Sequence, residues 1–290
     1  GESIVAVQNA QFNDLHFDGA YVKATGDGAR AAVLAEQSYG IAFNNVSVAN
    51  SVISASHTAG GLVGNYETAY DDITSVHVDA VLRGVHVGGL FGEAIFASAE
   101  MASSVSNISV DIEVYAVGED SVAAGGFAGQ FTMRDANIVF SNDTVTLVMP
   151  NGATTVVAGG LVGNFLYDAS RSVEMLNLGN IIDISVNSTG YIAYAGGLVG
   201  MGSFENVAVT DSLNRIHAVI ATKGSGDGDV AVGGEFGEIL NANGLLVAYD
   251  AIDARLVAAG SQVQRLGGVV GKAKMAAAGE TRIVQCDVEA

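Results

Sequence analysis

A seven-residue glycine phrase recurs along the chain and limits it to folds built by stacking. It reads Ala59-Gly60-Gly61-Leu62-Val63-Gly64-Asn65, then Val87-Gly88-Gly89-Leu90-Phe91-Gly92-Glu93, and returns from Ala124, Ala158, Ala195, Val232 and Leu266. A degenerate copy, Arg30-Ala31-Ala32-Val33-Leu34-Ala35-Glu36, places Ala at each of the glycine positions. Copies therefore begin near 30, 59, 87, 124, 158, 195, 232 and 266, at intervals of 28 to 37 residues. Such a period marks a repeat architecture, in which one unit cannot bury its own apolar face and its neighbours must do so. Residues 1–290 are expected to form one domain.

Between the phrases the chain reads as strand. Ile73–Asp79, Val105–Asp111 and Ile182–Val186 alternate apolar and polar residues and are rich in Val, Ile, Ser and Thr. A further short strand, such as Tyr191–Tyr194, precedes each phrase, and loops such as Gly224–Asp229 and Gly118–Asp120 absorb the difference in repeat length. Three short strands per repeat predict an all-β solenoid (β-helix) of eight to nine coils with little or no helix. At roughly 4.8 Å per coil the rod is on the order of 40 Å long. A propeller needs a fourth strand in each unit and fits less well.

Strict alternation along the phrase puts Ala59, Gly61 and Val63 on one face and Gly60, Leu62 and Gly64 on the other. The first face is expected to point inward. The second carries Val33, Leu62, Leu90, Phe127, Leu161, Leu198, Glu235 and Val269, and the Glu suggests a partly wet column. Two readings follow: an exposed apolar stripe that serves as an interface, or a stripe covered by loops or lying at a coil corner.

The Gly-Gly-Leu-Val-Gly at 60–64, 159–163 and 196–200 resembles the GLUG repeat, and the likeness extends over residues 25 to 275. It departs from that pattern in the first copy, where Ala replaces Gly, and at Glu235, where Leu is lost. GLUG repeats occur in large bacterial surface proteins, adhesin-like proteins and non-catalytic stretches of some secreted immunoglobulin proteases. The resemblance implies an extracellular, structural or adhesive role and brings no catalytic residues with it.

Both ends of the sequence read as strand, Ser3–Val7 at one and Arg282–Val288 at the other, with no capping segment. An excerpt of a longer repeat protein would look like this, as would a subunit that stacks head to tail through the strands around Val5 and Val284. The second is the preferred expectation, with a further copy of the chain as partner.

Chemistry is sparse. The histidines 16, 57, 77, 86 and 217 form no His-Glu-x-x-His, no Gly-x-Ser-x-Gly elbow is present, and no phosphate-binding Lys-Ser/Thr follows the glycines. His57 and His86 each lie just before a glycine phrase and are expected to stack in adjacent coils, as an outward polar pair or a metal pair. Asp71-Asp72, Glu235 with Glu238, and Asp227 with Asp229 are the closest carboxylates, but without Trp a sugar-cleaving groove is poorly supported. Asp227 and Asp229, set among glycines, are candidate calcium ligands, although Asp and Gly also serve ordinary turns. Asn45, Asn107, Asn142 and Asn187 each open an Asn-x-Ser/Thr sequon, and the single Cys286 is expected to be buried.

Composition narrows the partners. A net charge of −19, with only 12 Lys and Arg, disfavours nucleic acid, and no apolar run is long enough to span a membrane. The expected product is a non-catalytic extracellular filament subunit. A passive glycan- or matrix-binding segment of a larger adhesin is the alternative, and a polysaccharide-degrading solenoid comes third.

Overall fold

The computed structural model describes residues 6–68, 72–97, 103–118, 121–134, 137–167, 173–188, 190, 192–203, 206–210, 213–222, 228–248, 251–259, 263–284 and 287–289. They form a β-solenoid of stacked coils in which the paired strands run parallel, and no helix occurs among them. Two sheets wrap one apolar interior: a short sheet of eight strands, one per glycine phrase, and a long sheet of 21 strands. The number of complete coils is slightly below the eight to nine expected.

The glycine phrases lie over one another. Gly60 pairs with Gly88, Gly88 with Gly125, and the register continues through Gly159, Gly196, Gly233 and Gly267. The first copy is corrected by one residue. Ala31 pairs with Ala59 and Ala35 with Val63, so Ala32, Val33 and Glu36, rather than three alanines, occupy the glycine positions.

Each phrase makes a sharp bend from the short sheet into the long one, and the bends are laddered through the backbone. The amides of Leu62 and Val63 both donate to Leu90 O, at 2.9 and 3.1 Å, and those of Phe127 and Ala128 both donate to Leu161 O. The bend overturns the face assignment made from alternation. Two consecutive bend residues break the period of two, so Leu62 and Val63 both turn inward. Leu62, Leu90, Phe127, Leu161 and Leu198 are fully buried and Val269 nearly so; the stripe is core and not an exposed interface. In the first copy the column is occupied by Leu34 rather than Val33.

Glycine is required here by close approach rather than by backbone angle. A Cβ on Gly129 would lie 2.2 Å from Val87 N, and one on Gly92 the same distance from Thr58 Cγ2. The third glycine of the phrase thus lets the outgoing strand press against the incoming strand of the preceding coil. A Cβ on Gly60 would lie 1.9 Å from Val63 O, which closes the inside of the bend to any side chain.

Opposite the bends a second device turns the chain. Asp14, Asn45, Ser75, Asn107, Asn142 and Gly179 all have φ between 54° and 71° and stack in successive coils. Asn and Asp tolerate this left-handed conformation better than other side-chain-bearing residues. The corner splits what alternation presents as one strand, so Val105–Asp111 is broken at Asn107. A long coil then has four strands rather than three, as in Ala128–Met133, Ile138–Ser141, Thr144–Gly152 and Thr155–Gly159. Three of the four sequons, at Asn45, Asn107 and Asn142, are these exposed corners followed by a strand.

The residue after the corner points into the core. It is apolar as Val46, Val76 and Ile108, then polar as Asp143, Asn180 and Asn214, all buried. The polar members cap the backbone of the preceding coil. Ile108 N donates to Asp143 Oδ1, Asp143 N to Asn180 Oδ1 and Asn180 N to Asn214 Oδ1, at 3.0 to 3.3 Å. Asn214 Nδ2 donates to Glu235 Oε1 at 3.1 Å, so the Glu read as a sign of a wet column is a buried end of this spine. Burial outweighs the backbone hydrogen bonds at Asp143 and pushes its carboxyl up to about 8. Aromatic rings fill the interior of the earlier coils, from Phe12 on Phe43 through Tyr66 and Phe91, stacked at 4.2 Å, to Phe131 on Phe165.

Two outcomes test this packing. Gly129→Ala should destabilise the fold by about 3 kcal/mol, because backbone must move to admit the methyl. Gly118→Ala, where φ is +81° but space is open, should cost only about 1 kcal/mol in denaturant unfolding. The raised Asp143 carboxyl means that the folded state binds a proton the unfolded chain has released. Stability from this group is therefore full below about 4 and falls as pH rises towards 8. Asp143→Asn, which extends the Asn180–Asn214 ladder, should raise Tm at pH 8 and leave it nearly unchanged at pH 4.

Candidate functional site

Two columns of side chains face each other across the outside of the glycine bends. On the short sheet the column runs Arg30, Thr58, His86, Ala123, Val157, Tyr194, Ala231 and Arg265. On the long sheet it runs Gln37, Asn65, Glu93, Gln130, Asn164, Met201, Glu238 and Lys272. They meet because the third glycine of each phrase removes the side chain that would hold the strands apart. The middle of the short-sheet column is apolar: Ala123, Val157, Tyr194 and Ala231 form a small cluster, with Met201 packed against it, separate from the main core. Each end is charged.

Near the first coils the seam holds His57, His86 and Glu93. The two imidazoles come from adjacent coils, with ring centroids 4.9 Å apart. His57 O accepts the amides of Val85 and His86 at 2.7 and 3.0 Å, which fixes the backbones of both. His86 Nδ1 donates to Glu93 Oε1 at 2.6 Å, Thr58 Oγ1 donates to the same oxygen at 3.3 Å, and His57 Nε2 lies 3.7 Å from it. Burial raises the Glu93 carboxyl, but the hydrogen bond from His86 and the charges of His86, Arg30 and His57 outweigh it. The net pKa is below the ordinary value, and Glu93 is a carboxylate. Among the described residues this is the one cluster of three His, Cys, Asp or Glu whose ligand atoms all lie within 4.8 Å of one another.

At the other end Lys272 is the hub. Its ammonium pairs with Asp229 at 2.6 Å and with Glu238, and donates to Tyr194 OH at 3.4 Å. Arg265 also pairs with Asp229. The proposed calcium ligand Asp229 is therefore already held by two cationic side chains, because the next coil brings Arg265 and Lys272, on either side of its glycine phrase, beside it. Asp227 lies outside the described residues, as do Val5, Asp71 and Cys286. Val284 pairs through its backbone with Ala248. The carboxylates of Glu235 and Glu238 are directed to different places, one to Asn214 in the core and one to Lys272 in the seam, and do not form an acid pair.

The neighbourhood of His57 and His86 in adjacent coils is legible in their positions before two glycine phrases, although their rings are tilted by 57° and the register pairs His86 with Thr58; Glu93 is not legible there. The signal was present, since Glu93 follows the third glycine of its phrase as Glu238 and Lys272 do in later copies. Only the bend brings that position back across the strand it left.

No family model matches the chain, and no solved structure matches it. A curated relative, the immunoglobulin A1 protease of Streptococcus pneumoniae, is 28% identical over 199 residues, covering 63% of this chain and 10% of that protein. The chain therefore spans about a tenth of the length of the relative it matches.

The charged hub makes a testable contribution to stability. Lys272→Met leaves Glu238, only 4% exposed, without its cation and should cost about 2 kcal/mol in denaturant unfolding.

Proposed function

We propose that the chain is a non-catalytic structural and adhesive rod of an extracellular protein, of the GLUG-repeat kind. The observation that carries this reading is the continuous register of the eight phrases, seven of them bent at glycine, which commits most phrase residues to stacking. The likeness to part of a protease named for immunoglobulin A1, a substrate found outside cells, supports an extracellular setting. Its small share of that protein's length supports the role of a segment that spaces or presents other parts.

End-on stacking into a filament is the second reading, favoured by the state of the outer coils. Val7, Phe12, Leu15 and Phe17 belong to the core columns but are only partly buried, and Leu266 at the other end is 54% exposed. A further coil laid on either rim by strand addition covers these residues, whether it comes from the same polypeptide or from a second copy. Surface glycans or matrix are the proposed targets of the rod's flanks.

Purified residues 1–290 should leave immunoglobulin A1 and soluble polysaccharides uncleaved; cleavage lost on heat denaturation would overturn the non-catalytic reading. In negative-stain images, fibres that lengthen as salt screens the acidic charge support the filament. Isolated short rods at every ionic strength support the segment.

A further inference from the structure

The cluster of His57, His86 and Glu93 is not explained by stacking. Its column neighbours on the long sheet, Asn65 and Gln130, are neutral, and those on the short sheet are Thr58 and Ala123. One carboxylate oxygen accepts from the His86 imidazole and the Thr58 hydroxyl and has a second imidazole nitrogen, His57 Nε2, 3.7 Å away, which is more than one hydrogen-bonded pair needs.

We propose that His57, His86 and Glu93 bind a divalent transition-metal ion of the zinc class, which ties two adjacent coils together across the seam. Two imidazole nitrogens and one carboxylate oxygen suit zinc, cobalt or nickel, whereas calcium prefers six or more oxygens. Tetrahedral zinc at about 2.0–2.1 Å sets its ligand atoms roughly 3.3 Å apart. The separations of 2.6 Å from His86 and 3.7 Å from His57 to Glu93 Oε1 straddle that value, and the two imidazole ligand atoms lie within 4.8 Å of each other, so side-chain rotation alone is required to close the set. His86 exchanges its Nδ1–H tautomer for the Nε2–H form when the ion replaces the hydrogen bond to Glu93.

Rigidity and access both favour the site. The backbones of His57 and His86 are locked by the ladder, and Glu93 stands on the strand Phe91–Phe96, so little ordering remains to be done on binding. The His57 side chain is 41% exposed, which leaves an entry path and room for water as the fourth ligand. Arg30 is the opposing charge. It contributes to holding Glu93 ionised, and it weakens the attraction for a cation.

Cobalt(II) titration of metal-free chain 1–290 tests the assignment. The expected result is a saturable visible absorption at one equivalent, displaced by zinc, with a zinc-dependent rise in Tm that EDTA reverses. His57→Ala, His86→Ala and Glu93→Gln should each weaken binding about tenfold or more, since loss of even an outer-shell partner costs that much. Arg30→Gln should tighten binding, and His217→Ala should leave it unchanged. His57 is the most exposed of the three ligands, so its variant keeps the fold and the test remains decisive if Glu93→Gln unfolds. Absence of saturable binding to the wild-type chain overturns the proposal, as does binding retained in folded His57→Ala or His86→Ala.

Discussion

The structure depends on a distance of closest approach. At every complete glycine phrase two backbone segments pass so near one another that a single methyl group strikes main-chain or side-chain atoms within about 2 to 3 Å. Once the chain accepts that contact, the bend angle is set and so is the step from the short sheet to the long one. Backbone amides at the bend then reach the carbonyls of the next coil, and every later coil inherits the same geometry. The apolar columns supply most of the driving force for folding, but they would do so in many arrangements. The steric exclusion at the bends selects this one.

The fold was largely legible because this exclusion leaves a literal trace: a residue with no side chain, at the same offset, in copy after copy. The strand Ile182–Val186 also follows from alternation, since one face of it meets the core. What alternation could not reveal was where it stops. Alternation puts Leu62 and its counterparts on the outer face, whereas two bend residues shift the parity and turn them inward, and it carries Val105–Asp111 straight through a corner made by left-handed Asn107. In the first phrase three alanines imitate the glycine spacing one residue out of step with the true pairing of Ala31 with Ala59. Glu235 misled for a different reason. Its burial depends on Asn214, a residue from the opposite wall, and no local pattern announces such a partner.

The candidate site follows the same division. The two histidines precede their glycine pairs by three and two residues, so counting brings them to neighbouring places in adjacent coils although the register pairs His86 with Thr58. Glu93 joins them through the bend, which is a three-dimensional relation between positions seven residues apart. The seam it belongs to is a by-product of the glycine rule. Removing the side chains that would separate two strands leaves their outward neighbours facing one another, and each coil adds one such pair. Sequence variation in this double column is therefore the simplest way for the rod to acquire chemistry without disturbing its core.

The direction of the hydrogen bonds has a mechanical consequence. In a solenoid the ladder bonds point along the rod, and the coils are joined by parallel strands throughout. Tension applied along the axis loads one coil-to-coil interface after another in series, so the outermost coil peels first and the remainder holds its shape. A released coil of 28 to 37 residues yields roughly 100 Å of slack when extended. A tether built this way lengthens in steps under pull and rewinds, coil by coil, when the load is removed.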